Sequence, residues 1–271
     1  MGSIGFEPFA AAALAALAAG LLGPFVLARR ATYAAGAISH SMMAGIGLAV
    51  FCAAKFGWEW FTPFWGSLFS AAVAAAVLAF ATGRGNTRAD AVLGGIWAGG
   101  FATGIVLMVL ATGEEADVEE YLIGSIMEIE GESLAQLAAL DVLIAVATVA
   151  GYSKMLAVSF NRQLAALRGV RAGAWEMAFA LATAMAVALI AHTGGVLMSI
   201  ALLTLPAVAA SRFARSMKTQ MALAGVLAFA ASAAGIAAGA LVNPLFASAA
   251  AVFVLLLMCA VPRFGCRRAG K

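Results

Sequence analysis

Only two histidines stand in the 271 residues, His40 and His192, and both fall in apolar surroundings where an imidazole is an uncommon choice. An imidazole can hold a transition metal through a ring nitrogen or exchange a proton near neutral pH. His40 lies in GAISHSMMAGIGLAV, residues 36–50, and helical spacing puts Gly36, Met43, Ala44 and Gly47 on its face. The Met43 thioether is the one other donor there. Thioethers are gap fillers in most cores and ligands for soft ions such as Cu(I) in a few sites. Asp141 is the only acid placed more than a turn inside an apolar run. A carboxylate so placed is either a functional group or, towards the outer half of its helix, one that reaches water. His192 ends an apolar run beside Gly194-Gly195. It reads as an interfacial imidazole satisfied by water or backbone, or as an entry ligand or proton-linked gate.

These candidates need a scaffold, and composition names its solvent. With 64% hydrophobic residues, 11% charged residues and a mean hydropathy of +1.01, the chain has more apolar side chain than a soluble core of this length can bury. An all-α, polytopic transmembrane bundle is implied, read at about 20 residues per span. Polar breaks separate apolar segments at 6–28, 33–54, 63–82, 91–112, 134–152, 174–192, 194–211, 220–242 and 245–262. This predicts eight or nine spans in a single membrane domain over 1–271. The opening MGSIGFEPFA lacks a basic n-region, so its first apolar run is read as a permanent span. Cys52, Cys259 and Cys266 form neither a CxxC pair nor a disulfide framework.

Charge placement gives orientation. With the N-terminus outside and the C-terminus inside, fifteen of the sixteen basic residues fall in inner connections or in the basic tail 263–271, leaving only Lys55 outside. The net charge of +3 is therefore topological, and no nucleic-acid partner is implied. Residues 113–133 hold eight of the thirteen acids on the outer side, a solvated loop with a short interfacial helix that can also attract cations or dock a partner. Glycine and alanine recur at helical spacing in GGIWAGGFATG and AAGIAAGAL, the composition that lets membrane helices approach closely. Pro24, Pro206 and Pro244 fall within or at the ends of spans, and HTGG, residues 192–195, reads as a break between two shorter segments.

The longest inner connection, residues 153–176, contains SFNRQLAALRGV, whose middle can form a short helix with Leu164, Leu167 and Arg168 near one face. Such a helix lies on the lipid surface with its arginines snorkelling, or docks in a groove of a cytoplasmic partner. Enzyme chemistry lacks its parts: there is no GxxxxGK[ST] loop, no HExxH, no GxSxG and no paired intramembrane aspartates. A transporter, channel or scaffold subunit remains. A stand-alone secondary transporter should carry midplane coupling-ion carboxylates and repeats, and neither is evident.

Four stretches, in order, resemble the zinc/manganese-type ABC transporter permeases: GLLGPFVLARRATYAAGAISHSMMAGIGLA, VEEYLIGSIMEI, FNRQLAALRGV and GGVLMSIALLTLPAVAASRFA. The resemblance implies the membrane subunit of a bacterial inner-membrane importer for a divalent transition metal, zinc or manganese. It implies a second permease copy, a separate ATPase subunit that holds the ATP, an extracytoplasmic metal-binding protein, and surrounding lipid. This chain would bind no cofactor of its own and hydrolyse nothing. Asn161, Leu164, Ala165, Leu167, Arg168 and Gly169 match the family's coupling helix, which favours docking for that segment. His40 would line the translocation path, with Asp141, His192 and Met43 as lesser candidate metal ligands. Permeases of this family typically carry an aspartate four residues before that histidine, on the same helical face; here the position is Gly36. The glycine removes the charge and would widen the path, which leaves room for another metal or a metal chelate as cargo.

Overall fold

A chain in hydrocarbon must satisfy its backbone internally, and helices do this within each segment. The computed structural model describes residues 5–83, 89–112, 124, 126, 127, 129 and 131–260, and its regular elements there are all helical. They are α1 (Glu7–Ala28), α2 (Thr32–Phe56), α3 (Pro63–Gly83), α4 (Ala89–Thr112), α5 (Gly131–Phe160), α6 (Arg162–Leu167), α7 (Ala172–Ser211), α8 (Met217–Leu241) and α9 (Phe246–Ala260). Seven of these are long and apolar enough to cross a bilayer, and α9 is shorter. The acidic segment 113–133 lies mostly outside the described residues, as do Arg84, Arg88 and the tail 263–271.

Helix α7, at 40 residues, is twice the length a span needs. Its helical dihedrals fail at Gly194 (φ −150°, ψ 20°) and Gly195 (φ 85°, ψ 168°), at the HTGG break. The two legs then run back alongside each other. Phe179 on the first leg and Leu203 on the second both reach the 23–29 end of α1, through Arg29 and Gly23 respectively. The 174–192 and 194–211 segments are thus two traverses joined by a two-glycine reversal. Helices α1 and α7 continue through Pro24 and Pro206, while Pro244 sits in the α8–α9 turn.

The inner connection expected over 153–176 is shorter. Helix α5 continues to Phe160, and only 161–171 separates it from α7, with α6 inside that interval.

Small residues set the helix crossings. Gly45 on α2 lies against the Gly66 backbone of α3, and a Cβ on Gly20 of α1 would lie 2.8 Å from the Gly225 Cα of α8. In lipid there is no hydrophobic drive between helices, so such approaches supply the dispersion contact that holds them. Trp58, Trp60 and Trp65 are exposed around the α2–α3 connection, the placement expected of an aromatic belt at a membrane interface.

Gly195 occupies a backbone region open essentially to glycine, so Gly195→Ala should cost about 1–3 kcal/mol. Thermal unfolding of the purified protein should show the loss. Gly173→Ala, on the open start of α7 with nothing near its Cβ position, should be neutral or slightly stabilising.

Candidate functional site

Helix α2 carries His40 and is packed between α4, α3 and α7. His40 is half-buried and its ring is held by aromatics from α4. The Trp97 indole stacks on it with centroids 4.6 Å apart and planes 18° apart, and Phe101 meets it edge-on at 5.8 Å. Trp97 and Phe101 are four residues apart and therefore share one face of α4. Stacking occupies a ring face and leaves the nitrogens, which lie in the ring plane, at the edge. Among the described residues neither nitrogen has a hydrogen-bond partner.

One turn before His40, Gly36 is buried, and a Cβ there would lie 3.1 Å from Cζ3 and 3.4 Å from Cη2 of Trp97. The glycine therefore does not widen a path. The indole fills the space that a side chain at position 36 would take. One turn after His40, Met43 is fully buried in a cluster with Ile46, Met108 and Val196, which is a packing role. Next to His40, the Ser39 hydroxyl lies 2.6 Å from that of Ser199 and 3.2 Å from the Val196 carbonyl oxygen. These bonds fasten α2 to the return leg of α7 just past the glycine break.

Asp141 does not reach water: it is 1% exposed, and neither carboxylate oxygen has a hydrogen-bond partner. It sits on α5, whose main neighbours are α1 and α7, away from the α2–α4 face. His192 meets the Phe64 ring edge-on at 4.9 Å, at the start of α3. Among the described residues no group of three or more His, Cys, Asp or Glu side chains is gathered as a metal site. His40, Asp141 and His192 are three separate positions.

At the other end of α1, charges link three elements. The Glu176 carboxylate near the start of α7 lies 3.2 Å from Arg162 Nε on α6 and 3.9 Å from Arg29 at the end of α1. Arg29 also stands 4.4 Å over the Phe179 ring. Burial pulls the Arg29 guanidinium below its ordinary pKa, and Glu176 opposes this. A guanidinium remains charged nonetheless, so Glu176 is its counter-ion. Arg30 beside it takes φ 55°, which turns the chain into α2 within three residues.

Helix α6 is built from local signals. The Asn161 side chain accepts a hydrogen bond from the Leu164 amide at 2.9 Å. At the far end Gly169 takes φ 79°, its amide donates to the Ala166 carbonyl, and the Val170 amide donates to the Ala165 carbonyl. This is a Schellman closure. Ala165 is buried against Val158 and Ala172, while Leu164 and Leu167 are 46% and 84% exposed and Arg168 is exposed too. The expected face of Leu164, Leu167 and Arg168 is therefore free.

The sequence matches the ABC 3 transport family over residues 4–264. The chain belongs to that family. The resemblance to metal-ion ABC permeases is borne out. An uncharacterized membrane protein of Synechocystis, slr2045, is 33% identical over 217 residues, covering 80% of this chain and 75% of the relative. The manganese import system permease protein ScaB of Streptococcus gordonii is 23% identical, with 82% and 77% of the two chains covered. In fold, the chain is similar to PsaBC from Streptococcus pneumoniae in complex with Fab, with a TM-score of 0.80 at 20% identity, covering 93% of this chain and 88% of that one.

Trp97 and Glu176 are the two residues that sequence reading passed over. Trp97 is a single indole inside GGIWAGGFATG, four residues from Phe101, a pattern visible without a structure. Glu176 reads as an acid at a span end, and only the fold brings Arg29 and Arg162 to it.

Replacing Glu176 by glutamine leaves Arg29 partly buried without its counter-ion, so Glu176→Gln should destabilise by about 1–3 kcal/mol. Denaturation in detergent should show that loss, and Glu176→Asp, which keeps the charge, should recover part of it.

Proposed function

We propose that this chain is the permease subunit of an ABC importer for a divalent transition metal, zinc or manganese, with His40 on the translocation path and ATP hydrolysis on a separate subunit. The observation that carries the reading is the half-buried imidazole on α2, whose ring nitrogens have no hydrogen-bond partner among the described residues, ten residues or about 15 Å from Arg30 and so near mid-bilayer. The manganese-import relative supports the choice of cargo, and the fold likeness supports the architecture.

Helix α6 is the contact to the ATPase. Phe160, Leu164 and Leu167 are exposed beside Arg162, Arg168 and Arg171, a short capped helix with an apolar ridge and a basic rim. That surface suits insertion into a partner's groove. A second copy of the chain covers α4, the least buried of the seven candidate spans, and His40 and Trp97 then line a path between copies. The N-terminus faces outside and the basic connections face the cytoplasm of a bacterial inner membrane. The acid-rich outer segment faces an extracytoplasmic metal-binding protein and attracts the cation.

Two measurements test this. The chain should purify with a co-expressed ATPase subunit and stimulate it, and Leu167→Glu should abolish the association. In proteoliposomes holding the complex, ATP should drive uptake of zinc or manganese, supplied as free ions or as neutral chelates, and His40→Ala should lower it about tenfold or more. Absence of ATPase association removes the transporter assignment, and uptake unchanged in His40→Ala reduces His40 to packing.

A further inference from the structure

The His40 site has aromatic walls and, among the described residues, no anion. Among the described residues, α2 and α3 carry no acid at all. On α4 the only one is Asp90, two turns from Trp97, and on α7 the only one is Glu176, engaged by Arg29 and Arg162. On the imidazole's own face, Gly36, the position one turn before it, is closed by the Trp97 ring, and Met43, one turn after it, is buried in packing with Ile46, Met108 and Val196. The indole also fixes the plane of the imidazole through the 4.6 Å stack, so that the metal-binding nitrogen is presented in one direction.

We infer that Trp97 is the specificity-determining residue of this site. By filling the volume of a second ligand it makes His40 a one-nitrogen site for a metal centre of low net charge. A doubly charged hydrated ion at a neutral imidazole in a low-dielectric span has nothing to offset its charge. A centre with at most one positive charge avoids that penalty. It either carries its own anionic ligands and keeps an open coordination position for the imidazole, or it is a soft monovalent ion. The aromatic faces of Trp97 and Phe101 then serve as walls for the ligands or as a weak cation–π surface. This refines the cargo of the importer proposed above and rests on that reading for its transport meaning, but binding at His40 can be measured without transport.

The probes are hydrated Zn(II), the neutral zinc–iminodiacetate complex and Cu(I), each titrated into the full chain in nanodiscs. The Trp97 signal is the emission difference between the wild-type protein and Trp97→Phe, and equilibrium dialysis reads binding independently. Zinc–iminodiacetate or Cu(I) should change the Trp97 emission at about tenfold lower concentration than hydrated Zn(II), and the change should vanish in His40→Ala. A response to the complex alone identifies a chelated cargo, and a response to Cu(I) alone a soft ion. In the double variant Gly36→Asp with Trp97→Ala, a carboxylate stands one turn from His40, and dialysis should show the order reversed in favour of hydrated Zn(II). Gly36→Asp alone, pressed against the indole, should not produce that reversal. The inference is overturned if wild-type protein holds hydrated Zn(II) as tightly as the low-charge forms. It is equally overturned if His40→Ala leaves the signal unchanged, or if the double variant keeps the wild-type order. Loss of ATPase association with this binding pattern intact would count against the transporter reading and not against the site.

Discussion

Helix α2 stands close to its neighbours because glycines let it, and the rest of the bundle is arranged around that closeness. Gly45 admits α3, Gly100 of α4 lies against Ser41, and Gly36 admits the Trp97 ring. In water a hydrophobic helix would be driven into a core whatever its surface detail. In lipid the alternative to a helix contact is an equally apolar acyl chain, so only fit and a few polar bonds decide. The Ser39–Ser199 hydrogen bond contributes about 0.6 kcal/mol by comparison with intramembrane bonds measured elsewhere. Fixing α2 is therefore mainly the work of contact between backbones, with the serines setting register.

The same constraint accounts for the reversal in α7. Two glycines with non-helical dihedrals would leave backbone groups unpaired if they faced lipid, and that is costly within the hydrocarbon. Both Gly194 and Gly195 are buried, and Gly124 packs against them from the segment before α5. The break is thus covered by protein on the side where the chain turns. Directly after it come Val196 and Ser199, the part of α7 that bonds to Ser39. The turn and the histidine helix are one packed unit.

Much of this architecture is legible in the sequence, because bilayer thickness converts hydropathy directly into segments. Except at the end of α5, the apolar runs coincide with the helical legs within a few residues, and HTGG marks the reversal because it divides an apolar stretch twice the length of a span. The α6 helix is legible for a different reason: Asn161 and Gly169 are local capping signals that need no tertiary context. Features that depend on contact between distant segments escape. The gap at Gly36 reads as open space, since nothing along α2 says that an indole from α4, 61 positions later, closes it. Asp141 reads as able to reach water because its depth comes from hydropathy while its burial comes from which faces of α5 meet α1 and α7. The end of α5 is obscured for a local reason. Lys154 looks like a loop residue, yet a lysine near a helix end can extend its stem along the helix, and Lys154 rests 5.2 Å over Trp175.

The contacts around Glu176 give α6 a mechanical route to His40. Arg162 opens α6, Glu176 near the base of α7 holds it, and Glu176 also faces Arg29 at the end of α1. Three residues later α2 begins, and His40 lies about two turns along it. A force on α6 therefore acts on the base of α7 and on the α1–α2 turn together. Because Ser39 ties α2 to the return leg of α7, the two helices cannot slide past each other without parting that bond and repacking Val196 against Met43. Trp97 belongs to α4, outside that linked group, and is joined to it at this level through stacking on His40 and contact with Gly36. Relative motion of α2 and α4 would therefore disturb the indole–imidazole stack together with the Gly100–Ser41 and Gly104–Met43 contacts that seat the two helices.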